Sequence, residues 1–168
     1  FAYIEKGVVI GDNCVIMSHA SILEGTTMGK DNIVYHNAVV CATPQDFHYV
    51  EGSKTHVVIG NGNRIRENVV IAGSTYEDRA TVIGDGNFLM DQAHIQSSGV
   101  VIQQHVRIGR FSLIQSGCRV QRDVPPYAIL GGNPATYHGV NAIVLKHKGT
   151  TDRVLRHIAN TYRIIYTS

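Results

Sequence analysis

Residues 2–43 read AYIEKG VVIGDN CVIMSH ASILEG TTMGKD NIVYHN AVVCAT, seven six-residue units whose third residue is always large and apolar: Ile4, Ile10, Ile16, Ile22, Met28, Val34 and Val40. The same phase returns at Ile59, Ile65 and Ile71, at Ile83, Leu89, Ile95 and Val101, and at Ile108, Ile114 and Val120. A period of six matches neither the roughly 3.6 of a helix nor the 2 of a lone strand. It is the signature of a parallel β-helix. A short strand and a corner fill each unit, and one side chain per unit points into a narrow bore. First places are often small (Ala20, Thr26, Ala38, Ala93, Ser112, Cys118) and corners carry Gly, Asp and Asn, which tolerate positive φ. Three units make a triangular coil, so Ile10 and Met28 should lie one above the other.

Interruptions of the register map to protruding loops, because an insertion at a corner leaves the bore untouched. They fall at 44–56, 75–80 and 99–105. The coils are then expected at 8–25, 26–43, 57–74, 81–98 and 106–123, about five in all, with residues 2–7 as the last side of an earlier coil. Starting mid-coil and without Met, the sequence reads as a fragment or a trimmed chain. Val124-Pro125-Pro126-Tyr127 is expected to end the coil, since proline removes a ladder donor and restricts its neighbour. The division is therefore 1–127 for the coil and 128–168 for an exit turn and a short helical tail. Thr151 caps that helix, with Val154, Leu155, Ile158, Tyr162, Ile165 and Tyr166 on one face.

Composition narrows the function. A formal net charge of +2 over 168 residues argues against dedicated nucleic-acid binding. No stretch has the length of a membrane-spanning helix, and no signal peptide opens the sequence. The three cysteines, Cys14, Cys41 and Cys118, are odd in number and widely spaced, which points to packing in a reducing cytoplasm. The histidines at 19, 36, 48, 56, 105, 138, 147 and 157 show no metal-ligand spacing. No metal and no cofactor are expected.

Several segments together resemble the UDP-N-acetylglucosamine 3-O-acyltransferases of lipid A synthesis. They are Pro44-Gln45-Asp46-Phe47-His48-Tyr49, Asn63-Arg64-Ile65-Arg66-Glu67, Gly86-Asn87-Phe88-Leu89-Met90 with Ala93-His94-Ile95, and Asp123-Val124-Pro125-Pro126-Tyr127. Gly139-Val140-Asn141, Leu145-Lys146-His147-Lys148-Gly149 and Tyr162-Arg163-Ile164-Ile165-Tyr166 complete the set. The resemblance implies an all-β solenoid, a left-handed parallel β-helix, assembled as a cytoplasmic homotrimer with active sites between subunits. It implies transfer of a 3-hydroxyacyl chain from the phosphopantetheine of acyl carrier protein to the sugar's 3-hydroxyl.

Site residues carried over by the resemblance are Gln45, Asp46, His48, Gln104, His147 and Lys148 for substrate binding. His94 is the candidate general base, a role that suits a side chain titrating near working pH. The position of the family's own base reads Ser97 here. The sequence departs further at Ala72 and Gln103, where the family carries histidine, and two coils that the family has between His94 and Gln103 are missing. The competing readings are a non-catalytic trimer that keeps the fold, with or without ligand binding, and an acetyltransferase using coenzyme A, suggested by Gly131-Gly132-Asn133-Pro134-Ala135.

Overall fold

The computed structural model describes residues 1–44, 48–90, 101–103, 105–115 and 117–167. Among these the chain visits three sheets in rotation. The first holds Tyr3–Ile4, Ser21–Ile22, Val39–Ala42, Val70–Ala72, Val101–Ile102 and Arg119–Val120. The second holds Val9–Ile10, Thr26–Met28, Val57–Ile59, Thr81–Ile83 and Arg107–Ile108. The third holds Val15–Ile16, Ile33–Val34, Arg64–Ile65, Phe88–Leu89, Leu113–Ile114 and the final pair Ala128–Gly131 and Thr136–Val140. Up to Ala128–Gly131 the strands of successive rungs pair in parallel, as Ile10 does with Met28 and Met28 with Ile59.

A two-residue strand has room for one side chain inward and one outward. The inward rows are Ile22, Val40, Ile71, Ile102 and Val120; Met28, Ile59, Ile83, Ile108 and Val124; and Val34, Ile65, Leu89, Ile114 and Leu130, all buried. A second ladder runs beside them. The Asn32 side-chain oxygen accepts from the Asn63 backbone at 2.8 Å, that of Asn63 from Asn87 at 2.8 Å, and that of Asn87 from Ser112 at 2.8 Å. These buried amides satisfy corner N–H groups that the sheets leave unpaired.

Two features differ from the hexapeptide count. Ile102, not Val101, is the bore residue opposite Ile71 and Val120. Both residues are apolar, so the one-place slip is invisible in sequence. The third side of the fourth rung is accordingly Val101–Ile102. The expected side at 93–98 lies outside the described residues, as does part of the expected loop at 99–105.

The ladder also runs past residue 127. Val124 bridges to Ile108, and Ala128–Gly131 pairs in parallel with Leu113–Ile114. Pro125 and Pro126 occupy the corner between these two sides, where neither needs a ladder donor. Thr136–Val140 then pairs antiparallel with Ala128–Gly131 and covers that edge strand.

Helix α1 (Ala142–His147) is capped by the Asn141 side chain, and α2 (Asp152–Thr167) follows. Leu155, Ile158 and Tyr162 of α2 are half-buried, whereas Val154, Ile165 and Tyr166 are exposed. The expected apolar face is thus only partly covered, because α2 leans mainly on the narrow Thr136–Val140 strand. Tyr162 donates to the Pro126 carbonyl at 3.0 Å and meets Tyr137 edge-on at 6.0 Å.

Candidate functional site

The triangular section has three edges, and the insertions are not spread evenly over them. Two of the long connections, from Ala42 to Val57 and from Ala72 to Thr81, lie on the edge joining the first sheet to the second. They are bound to one another. The Lys54 N–H donates to the Glu77 carboxylate at 2.9 Å, the His56 N–H to the Ser74 hydroxyl at 3.1 Å, and the Thr81 N–H to the His56 carbonyl at 3.0 Å. Thr55 lies directly against Gly25 and Gly73, where any side chain would collide with it. The base of the first loop is therefore keyed to two glycines.

Between this loop and the first rungs is a cavity of about 490 Å³, lined by Glu24, Thr27, Lys54, Thr55 and His56 among others. One rung further, Tyr76 stacks on His105 at 5.3 Å, and the Arg79 guanidinium sits 5.5 Å from the Tyr76 ring. The edge so combines hydroxyls, imidazoles and cations over a rigid backbone, a composition suited to a polar substrate.

His48 is exposed in the first insertion. Gln45, Asp46, His94, Ser97 and Gln104 fall outside the described residues. His147 is exposed in the last turn of α1, and Lys148 follows as its C-cap. The Lys148 ammonium lies 4.9 Å from the ring centre of Phe111, on the edge joining the second sheet to the third. Within this chain His48 and Lys148 thus stand on different edges.

Arg64 opens the strand Arg64–Ile65, and Arg66 follows just beyond it. Arg64 donates to the Tyr35 hydroxyl at 3.5 Å, while Arg66 covers the Tyr35 ring at 4.7 Å and pairs with Glu67 at 2.7 Å. That hydrogen bond from Arg66 holds the Glu67 carboxyl below its ordinary range. Among the described residues no cluster of His, Cys, Asp and Glu could hold a metal ion, and no helix is long and apolar enough to cross a membrane.

The cysteines pack as their small first-place or bore-side positions suggest. Burial pushes the Cys118 thiol up to about 11 and raises Cys41 as well. Since the thiolate is the reacting form, a thiol reagent at pH 8 is expected to label half-buried Cys14 first. Cys41 and Cys118 should label only in denaturant, as followed by intact mass. Equal labelling rates for all three would contradict the burial described here.

Two family models match the chain. Residues 1–42 fit the bacterial transferase hexapeptide (six repeats), and residues 123–168 fit domain 2 of UDP-N-acetylglucosamine O-acyltransferase. The crystal structure of a UDP-N-acetylglucosamine acyltransferase from Bacteroides fragilis is 31% identical, with 99% of this chain and 84% of that one covered at a TM-score of 0.59. The chain belongs to the UDP-N-acetylglucosamine O-acyltransferase family. A Francisella novicida UDP-N-acetylglucosamine acyltransferase is 28% identical over 97% of this chain and 75% of its own, with a TM-score of 0.56. The acyl-[acyl-carrier-protein]–UDP-N-acetylglucosamine O-acyltransferase of Synechocystis is 34% identical over 88% of this chain. The chain spans 64% of the length of that curated relative.

Two features of this family member were not singled out in its sequence. One is the Tyr76–His105 stack, which joins an insertion to a corner and has no local signal. The other is Phe111 with Tyr127, at a corner place that Asn13, Asp31, Gly62 and Gly86 fill in earlier rungs. Comparing sixth places of successive units would have found the second.

Proposed function

We propose that this chain transfers a 3-hydroxyacyl group from acyl carrier protein to the 3-hydroxyl of UDP-N-acetylglucosamine, the first step of lipid A synthesis. The observation that carries the reading is the pairing, in one chain, of hexapeptide rungs with the acyltransferase-specific domain at 123–168. The working form is a left-handed solenoid assembled as a homotrimer in the cytoplasm, without metal or cofactor. Two observations favour a trimer. The outward row of the third sheet is Val15, Ile33, Arg64, Phe88, Leu113 and Ile129, an apolar face with one cation. His48 and Lys148 also lie on separate edges, which a neighbouring subunit would bring together.

In the reaction a base removes the proton of the sugar hydroxyl, and the oxygen attacks the thioester carbonyl. The tetrahedral intermediate expels the phosphopantetheine sulfur, which leaves as the thiol after taking up a proton. His94 is assigned the base, because Ser97 has no basicity of its own. Gln45, Asp46 and His48 are assigned to the sugar and acyl group, and Gln104, His147 and Lys148 to the remaining anionic and pantetheine contacts.

The test is acyl transfer to UDP-N-acetylglucosamine from a panel of 3-hydroxyacyl carrier proteins, beside His94→Ala and a measurement of oligomeric mass. Turnover that falls by about a hundredfold or more in the variant is expected of a lost general base. Full activity in the variant would remove His94 from that role. An intact trimer without turnover would favour the second reading, a non-catalytic member, which Ser97, Ala72 and Gln103 support.

A further inference from the structure

The left-handed positions of the second-to-third edge are Asn13, Asp31, Gly62 and Gly86, then Phe111 at φ 59° and Tyr127 at φ 61°. The first four are residue types that adopt this backbone at little cost, whereas a bulky side chain there is an outlier. Such outliers persist where the surroundings hold them and cluster at working sites. The corner itself does not require an aromatic ring, since four rungs build it without one.

What the rings do is visible. Phe111 and Tyr127 stack with centroids 5.8 Å apart and planes 20° from parallel. Gly86, lacking a side chain, leaves the room that the Phe111 ring occupies. The Asn141 side chain donates to the Phe111 carbonyl at 3.1 Å, and the Asn141 N–H to the Tyr127 carbonyl at 2.6 Å, which pins the start of α1 to the same two residues. At the far end of α1 the Lys148 ammonium rests over the Phe111 ring. Among the described residues no carboxylate pairs with Lys148, so its charge is oriented but not neutralised.

We infer that Phe111 is a positioning residue: supported by Tyr127, it holds Lys148 at this edge to receive a phosphate group of the substrate. The inference rests on the proposed function for the identity of that group, which belongs either to the nucleotide sugar or to phosphopantetheine. A ring face suits the task because it attracts the ammonium without cancelling its charge, as a carboxylate would.

The experiment is isothermal titration of the full chain with UDP-N-acetylglucosamine and, separately, with 4′-phosphopantetheine. Phe111→Asn keeps a residue at home in the left-handed region but removes the ring, and is expected to weaken one of the two ligands about fivefold. Phe111→Tyr should bind as the parent does. Lys148→Gln should weaken the same ligand, and Phe111→Asn added to it should have no further effect, because the ring acts through the lysine. The doubled variant also guards against a merely structural loss, which would weaken binding irrespective of residue 148. Unchanged binding of both ligands by Phe111→Asn, or a further loss in the doubled variant, would overturn the inference alone. A parent chain that binds neither ligand would overturn the functional reading and this inference with it.

Discussion

Ile71→Ala is expected to lower the unfolding free energy by about 4 kcal/mol, or the thermal midpoint by roughly 10 °C. Ile71 is fully buried and stacks in register between Val40 and Ile102. Truncation removes apolar contact on two neighbouring rungs at once. The backbone cannot close the gap, because both flanking rungs are fixed by their own ladder bonds. Ile4→Ala is the control, since it occupies the same place of its unit but is 49% exposed. It should cost less than about 1 kcal/mol. Thermal unfolding of the two variants measures the difference, and equal losses would mean that the stacked bore is not what holds the coil together.

Gly25→Ala is the second change with a large expected effect, and it links the coil to the candidate site. Gly25 has φ +88°, and a Cβ there would run into the Thr55 carbonyl at the base of the first insertion. The left-handed backbone alone costs an alanine about 1–2 kcal/mol. The collision adds to that by displacing Thr55, and with it the bonds of His56 to Ser74 and of Lys54 to Glu77. Gly52→Ala separates the two causes. Gly52 has φ +87° in the same loop, but nothing lies within 4 Å of its missing Cβ. Both variants should lose stability, whereas only Gly25→Ala should also weaken UDP-N-acetylglucosamine binding, by about tenfold if one charge-assisted hydrogen bond is lost. Equal affinity in the two variants would separate the loop base from the site.

The two changes test different layers of one design. The bore is a repeated local solution that tolerates extra residues at its corners. The edges are where those residues accumulate, and their chemistry depends on which corner each insertion enters. His56, Tyr76 and His105 come together because connections on successive rungs fall on one edge, not because they are near in sequence. The same rotation places Lys148 a full face away from His48.

The sequence by itself determined the period, the sides of the first three rungs and the bore residues from Ile22 to Leu89 and from Ile108 to Val120, all buried, whereas Ile4 is exposed and Ile10 and Ile16 are half-buried at the open end of the coil. The reason is that each unit states its own strand and corner within six residues, so no distant contact is needed to read it. It also carried the family, through segments such as Asn63-Arg64-Ile65-Arg66-Glu67 and Leu145-Lys146-His147-Lys148. Only the tertiary structure decided the slip from Val101 to Ile102, since two adjacent apolar residues are equally fit for the bore and pairing with Ile71 selects one. It alone carried the ladder through Pro125 and Pro126, because a proline is harmful within a strand and harmless at a corner. And it alone assigned the insertions to edges and laid Lys148 on Phe111, for these depend on how many sides the chain has turned before it returns.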